Sequence, residues 1–146
     1  MKNADGSISR ALAAAGLLAT ATALLHIVGG EFTIARPLLK SSLDQEPRLV
    51  MYAVWHMASV ALSLSAVALL IAAHPRYRRR AHDTVVLVGM LWIGFGLCFL
   101  SVALAEGATN QLFGELQQWT LLLPVGLLAM WGSSSPAPPV TSGWPE

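Results

Sequence analysis

The chain has 146 residues, of which 55% are hydrophobic and only 12% are charged, and its formal net charge is +1. A soluble domain normally has about a quarter of its residues charged, so this composition argues against a soluble globular protein. The nearly neutral balance gives no support for nucleic-acid binding. The single cysteine, Cys98, excludes a disulfide or a cysteine-based zinc site within one chain.

Short charged intervals separate four apolar runs. Each run has about 17 to 25 residues, the length at which an α-helix crosses a hydrocarbon core of about 30 Å. The sequence therefore predicts an all-α integral membrane protein, a four-helix up-down-up-down bundle with spans at residues 9–30, 49–73, 84–105 and 113–132. Residues 133–146 are rich in proline and serine, and we expect them to form a disordered tail.

Two features of these runs indicate how the helices are built. Small residues recur at spacings of three and four along the first run, which predicts the close approach of a neighbouring helix. Pro124 lies in the middle of the fourth run and predicts a kink there. A cleavable signal peptide is the alternative for the first run, because Ala19-Thr20-Ala21 resembles a cleavage site, although the apolar stretch continues well beyond it.

The distribution of basic residues predicts the orientation. The loop between the second and third runs contains Arg76, Arg78, Arg79 and Arg80, whereas residues 106–112 contain no basic residue. Short basic loops tend to stay in the cytoplasm. We therefore expect a protein of the inner (plasma) membrane with both termini in the cytoplasm, and we interpret the arginines as a topology signal at the lipid headgroups.

In this topology the polar side chains of all four helices gather in the outer leaflet. They are His26 and Glu31, Trp55 and His56, Glu106, and Gln118 and Trp119. An ionisable group in hydrocarbon is costly unless it is paired or hydrated, so such residues tend to face the bundle interior and to serve a function. Ser59 and Ser63 follow His56 at spacings of three and four, which predicts an inward-facing polar stripe.

Several kinds of site are compatible with two histidines and a carboxylate from adjacent helices. They can form a proton relay, an acid–base pair or part of a metal site, or the histidines can be simple interhelical hydrogen-bond partners. No His-x-x-x-His or Glu-x-x-His spacing occurs, so we predict neither a metal ion nor another cofactor. The first loop, residues 31–48, contains the apolar section Phe32–Leu39, which we expect on the membrane surface as a lid or a plain connector.

Three segments carry a resemblance to known proteins. His26-Ile-Val-Gly-Gly-Glu31, Val54-Trp55-His56 and Gln118-Trp119 resemble features of small uncharacterised bacterial four-span membrane proteins. In size, helix composition and polar clustering the chain is also similar to small membrane-embedded terpene cyclases. Those enzymes use carboxylates near the membrane to protonate an epoxide or alkene, so the resemblance implies acid–base chemistry on an apolar substrate.

Our leading hypothesis from the sequence is an outer-leaflet site that binds an apolar, lipid- or isoprenoid-like small molecule. If the protein is an enzyme, we expect acid–base chemistry with Glu31 as the acid and a histidine, His26 or His56, as its proton partner. The substrate-binding candidates are Gln118, Trp55 and Trp119. The alternatives are a non-catalytic accessory or structural subunit, and a metal or proton transporter. The expected partners are the lipid bilayer, the apolar molecule, and a second copy or another membrane protein.

Overall fold

The computed structural model describes residues 8–134, and this part of the chain is almost entirely helical with no strand. The predicted all-α bundle is confirmed. Within residues 8–134 the main helices are α1 (Arg10–Leu39), α2 (Gln45–Ala73), α3 (His82–Ala105) and the shorter α4 (Trp119–Ser134). Most of the expected tail lies outside the described residues, whereas Ser133 and Ser134 belong to α4.

Three of the helices are long and apolar enough to cross a membrane, judged by length and composition. At about 1.5 Å per residue, the 30 residues of α1 and the 29 residues of α2 each extend about 45 Å. Both helices therefore exceed a hydrocarbon core of about 30 Å. α4 is apolar but has only 16 residues, or about 24 Å of helix.

α1 continues past the point at which the sequence suggested a loop. The chain remains helical to Leu39, and only residues 40–44 connect α1 with α2. Phe32–Leu39 therefore belongs to the helix and not to a loop, while its expected position on the membrane surface stays a prediction. The apolar residues extend the helix, and the charge of Glu31 is accommodated by an ion pair with Arg36 on the same helix, 3.3 Å away.

Local signals set the helix ends near residues 74–81, which we call the arginine end of the bundle. Ser9 caps α1 by accepting a hydrogen bond from the N–H of Leu12, and its own N–H donates to the carbonyl of Ala73 at 3.0 Å. α2 ends at Ala73 because the residue before Pro75 is extended. A helical turn at Pro75–Arg78 leads towards α3.

The opposite end of the bundle, which we call the far end, contains the least regular connection. Gly107 follows α3 with a φ of 63°, a left-handed conformation that glycine adopts without strain. A 3₁₀ turn at Thr109–Gln111 and further turns at 112–118 then lead to α4. The fourth helix begins at Trp119 and not near Phe113, as expected, because these turns replace its first residues.

Small residues allow the helices to approach closely. α1 packs against α2 and α4, and α3 packs against α4. A side chain at Gly16 of α1 would meet Leu70 of α2. A Cβ at Gly126 of α4 would lie 2.8 Å from the carbonyl oxygen of Gly89 on α3, so these two backbones are almost in contact.

Burial along α2 is confined to the half nearer the arginine end. Its buried residues all lie between Leu62 and Ala73, whereas no residue from Gln45 to Ala61 is buried. α2 and α3 contact each other at few positions. The first half of α2 is therefore supported mainly by α1, and its remaining faces are open.

Candidate functional site

His26 of α1 lies against Trp55 of α2. Their rings stack with centroids 3.8 Å apart and an interplanar angle of 18°. His26 Nε2 also lies 3.4 Å from the Trp55 carbonyl oxygen, which accepts a second hydrogen bond from Ser59 Oγ at 3.0 Å. Because a carbonyl oxygen has no hydrogen to donate, Nε2 is the donor in this contact and carries a ring hydrogen.

The backbone of α1 is adapted to this stack. His26 belongs to a π-helical segment, Leu25–Gly29, and a second such segment follows at Glu31–Ala35. Gly30 lies between them, and a Cβ at this position would overlap the Trp55 indole. π-helical turns are rare and occur frequently at functional sites, so this part of α1 is the most unusual backbone in the bundle.

His56 lies on a different face of α2 from Trp55. Its ring contacts that of Tyr52 edge-on, with centroids 4.5 Å apart. Both residues belong to an exposed apolar surface that we call the α2 groove, lined by Leu49, Tyr52, Ala53, His56, Met57, Val60, Ala61 and Leu64. With about 100° between successive residues, the groove lies on the opposite side of α2 from the buried positions Leu62 and Leu69.

The predicted inward stripe of His56, Ser59 and Ser63 is therefore not formed. Ser59 Oγ donates to the carbonyl of Trp55, and Ser63 Oγ donates to the carbonyl of Ser59 at 2.8 Å. Both hydroxyl groups are thus satisfied within α2. His56 is exposed, and its neighbour Trp55 makes the contact with α1 instead.

Glu31 is engaged within its own helix. Its Oε1 accepts a hydrogen bond from Arg36 Nε at 3.3 Å, and the Arg36 guanidinium also covers the ring of Phe32 at 4.4 Å. In the part of the chain that the structure describes, Glu31 makes no hydrogen bond to His26 or His56. Among the described residues, the predicted acid is therefore not hydrogen-bonded to either of its candidate proton partners.

The polar residues at the start of α4 form a local cluster. Trp119 Nε1 donates to the carbonyl of Leu112 at 2.9 Å, and its ring meets Phe113 edge-on at 5.5 Å. Gln118 Nε2 donates to the carbonyl of Glu115 at 3.3 Å, while its buried Oε1 has no hydrogen-bond partner among the described residues. These two residues stabilise the turns before α4, and neither has a described contact with a histidine.

The structure thus separates the predicted site into local groups: His26 with Trp55, His56 with Tyr52, and Glu31 with Arg36. Among residues 8–134, no group of three His, Cys, Asp or Glu side chains is placed to hold a metal ion. Sequence reasoning missed the contribution of Tyr52. The signal was its spacing of four residues from His56, which places both on one helical face.

The chain matches no protein-family model, no curated protein and no solved structure. The resemblance to small four-span membrane proteins and to terpene cyclases stays a prediction.

Proposed function

We propose that this protein is a membrane-embedded bundle that binds the apolar chain of a lipid-like molecule along the α2 groove. The observation that carries the proposal is a polar pair, His56 and Tyr52, within an exposed surface that is otherwise apolar. The length and composition of α1, α2 and α3 support insertion into a membrane, which we propose to be the plasma membrane. With the arginine end in the cytoplasm, the groove opens into the outer half of the bilayer.

The position of His56 along α2 supports a site within the hydrocarbon. The nearest arginines before and after it are Arg48 and Arg76, about 12 Å and about 30 Å away at the helical rise per residue. A hydrocarbon core of about 30 Å centred between these arginines would have its outer surface about 6 Å above His56. The imidazole therefore faces acyl chains and not water.

A histidine in this position requires a polar partner. Its ring nitrogens are strong hydrogen-bonding groups, and leaving them unpaired in hydrocarbon costs free energy. Tyr52 adds a hydroxyl group one turn nearer the membrane surface, while Val60 and Leu64 continue the apolar surface in the other direction. A molecule with a hydroxyl, carbonyl or amide group on an isoprenoid or acyl chain would match both parts of the groove.

The contacts of the other predicted residues favour binding over catalysis. Glu31 is held by Arg36, and His26 is held by Trp55. For acid–base chemistry of the cyclase type, Glu31 would have to leave its ion pair and reach the substrate. His26 and Trp55 instead fasten α1 to α2, and they keep the groove on the outer side of this pair of helices.

The exposed face of α2 also favours a second candidate function, in which the protein is an accessory subunit. The groove would then pack against a helix of another membrane protein, and His56 would fix the register of the two helices through an interhelical hydrogen bond. The two candidates differ in what occupies the groove when the protein leaves the membrane.

Native mass spectrometry of the full-length protein, purified gently from its own membrane, tests the proposal. We expect wild-type protein to retain a lipid-like molecule and His56→Leu to lose most of it. The matched control is His82→Leu, because His82 is an exposed histidine at the arginine end and should not affect retention. A ligand-free wild-type protein that carries a second polypeptide would refute ligand binding and favour the accessory subunit.

A further inference from the structure

A second charged surface lies at the arginine end, away from the α2 groove. Ser9 is buried, and its N–H donates to the carbonyl of Ala73 at 3.0 Å, so the start of α1 is fastened to the end of α2. Arg10 therefore lies at the same end as the loop that follows α2. This loop contributes Arg76, Arg78, Arg79 and Arg80.

Among the described residues, positive charge exceeds negative charge at this end. Asp83 is the only carboxylate there among the described residues, and its Oδ1 lies 3.1 Å from His82 Nδ1. The other described acidic residues all lie at the far end: Glu31, Asp44, Glu46, Glu106 and Glu115. Among the described residues, Arg10, Arg76, Arg79 and Arg80 thus lie at an end with one carboxylate, and that carboxylate already contacts a histidine.

The type of basic residue indicates which anion fits. The described residues at this end include arginines but no lysine, whereas the far end also contains Lys40. A topology signal needs only positive charge, which lysine supplies equally well. A guanidinium group additionally presents paired N–H donors that match two oxygens of a phosphate group. The composition of the arginine end therefore favours phosphate.

The loop is held in place by its own backbone. The N–H groups of Tyr77 and Arg78 donate to the carbonyl of His74 at 3.1 and 3.2 Å, and the N–H of Ala81 donates to the carbonyl of Tyr77 at 2.9 Å. The Arg76 guanidinium lies 5.8 Å from the centroid of the Tyr77 ring. Exposed tyrosines of this kind are enriched at the level of lipid headgroups. The arginines therefore project from an ordered turn, which lowers the entropy cost of binding.

We infer that the arginine end is a binding surface for the phosphate groups of anionic phospholipids. Arg10 and the loop arginines lie around one end of α1 and α2, where the headgroups of the adjacent leaflet reach them. This surface is independent of the α2 groove, although both require the membrane insertion on which the proposed function rests.

Lipid titration of the full-length protein in detergent, followed by native mass spectrometry, measures this binding. We expect phosphatidylglycerol to bind more tightly than zwitterionic phosphatidylcholine. Arg79→Gln combined with Arg80→Gln should weaken phosphatidylglycerol binding about 30-fold, or roughly fivefold for each arginine. The matched control, Lys40→Gln with Arg48→Gln, removes the same charge at the far end and should leave the affinity unchanged.

Equal affinity of wild-type protein for phosphatidylglycerol and phosphatidylcholine would overturn the inference. An equal loss of phosphatidylglycerol affinity in the arginine-end and far-end double variants would also overturn it. A salt titration of wild-type protein is independent of whether the variants fold. Raising sodium chloride from about 50 mM to about 500 mM should reduce the preference for phosphatidylglycerol, and an unchanged preference would contradict an arginine–phosphate surface.

Two further measurements distinguish lipid binding at the arginine end from binding of free phosphate and from binding in the α2 groove. Inorganic phosphate at millimolar concentration should not displace phosphatidylglycerol, and efficient displacement would overturn the assignment to a lipid. His56→Leu should keep the lipid preference even if it empties the groove, so the proposed function and this inference can fail separately.

Discussion

Two adjacent glycines of α1 provide a controlled test of the contact between α1 and α2. A Cβ added at Gly30 would overlap the Trp55 indole, whereas a Cβ at Gly29 would meet nothing within 4 Å. The variants Gly30→Ala and Gly29→Ala therefore make the same chemical change, one residue apart, in different surroundings. The difference between their free energies of unfolding therefore reports how tightly Trp55 packs against α1.

The expected magnitudes follow from two opposing effects. Alanine is a better helix former than glycine by about 0.5–1 kcal/mol, so Gly29→Ala should raise the free energy of unfolding by up to that amount. Gly30→Ala has the same gain but must displace a rigid indole that is stacked on His26, and overpacking of this kind costs about 1–3 kcal/mol. We therefore expect Gly30→Ala to be about 1–3 kcal/mol less stable than Gly29→Ala.

Unfolding in mixed micelles with increasing sodium dodecyl sulfate, followed by far-ultraviolet circular dichroism, measures both free energies. The difference between the variants is more informative than either value, because the micelle affects both in the same way. If Gly30→Ala and Gly29→Ala are equally stable, the indole does not pack against Gly30, and the account of the α1–α2 contact is refuted.

Three further predictions use the same unfolding assay. Gly126→Ala places a methyl group 2.8 Å from the Gly89 carbonyl oxygen and should lower the free energy of unfolding by about 1–3 kcal/mol. Gly94→Ala meets nothing within 4 Å and, like Gly29→Ala, should not lower it. Equal values for the two variants would argue against close packing of α3 and α4. His26→Phe keeps a ring that can stack on Trp55 but loses the hydrogen bond to α2, so the free energy of unfolding should fall by about 0.6–1 kcal/mol. A decrease as large as that of His26→Ala would contradict a stabilising role for the stack. Glu31→Gln breaks the exposed ion pair with Arg36, so it should lower the free energy of unfolding by less than about 1 kcal/mol at low salt and by almost nothing at about 0.5 M sodium chloride. A larger decrease that salt does not reduce would show that Glu31 has another partner.

The apolar runs predicted two of the helices well. The second run was expected at residues 49–73 and the third at 84–105, and the helices extend over Gln45–Ala73 and His82–Ala105. In both cases the additional helical residues, 45–48 and 82–83, precede the apolar stretch and are mostly polar. Hydrophobicity locates the part of a helix that suits hydrocarbon, but the helix itself begins earlier.

The apolar runs did not predict the end of α1 or the start of α4. Glu31 follows two glycines, which resembles the end of a span, but Arg36 lies five residues later and pairs with it along one helix. At the start of α4, residues 112–118 form turns that the Trp119 side chain closes through its bond to the Leu112 carbonyl. Both outcomes depend on side-chain contacts that hydrophobicity does not encode.

The helical rise places His26 and His56 at positions along the bundle, but it does not determine which way each side chain points. Trp55 and His56 are adjacent and therefore about 100° apart around α2. The serines beyond His56 suggested that it was the inward residue. Because Ser59 and Ser63 bond to carbonyls of their own helix, they give no information about direction, and it is Trp55 that contacts α1.

A bulky substitution within the α2 groove shows whether a lipid-like molecule occupies the groove. Ala53 lines the groove, whereas Ala21 is an exposed alanine on α1 outside it. Native mass spectrometry would compare the lipid-like molecule retained by Ala53→Trp, Ala21→Trp and wild-type protein. We expect Ala53→Trp to lose the molecule and Ala21→Trp to retain it at the wild-type level. Equal retention in all three proteins would contradict binding along α2.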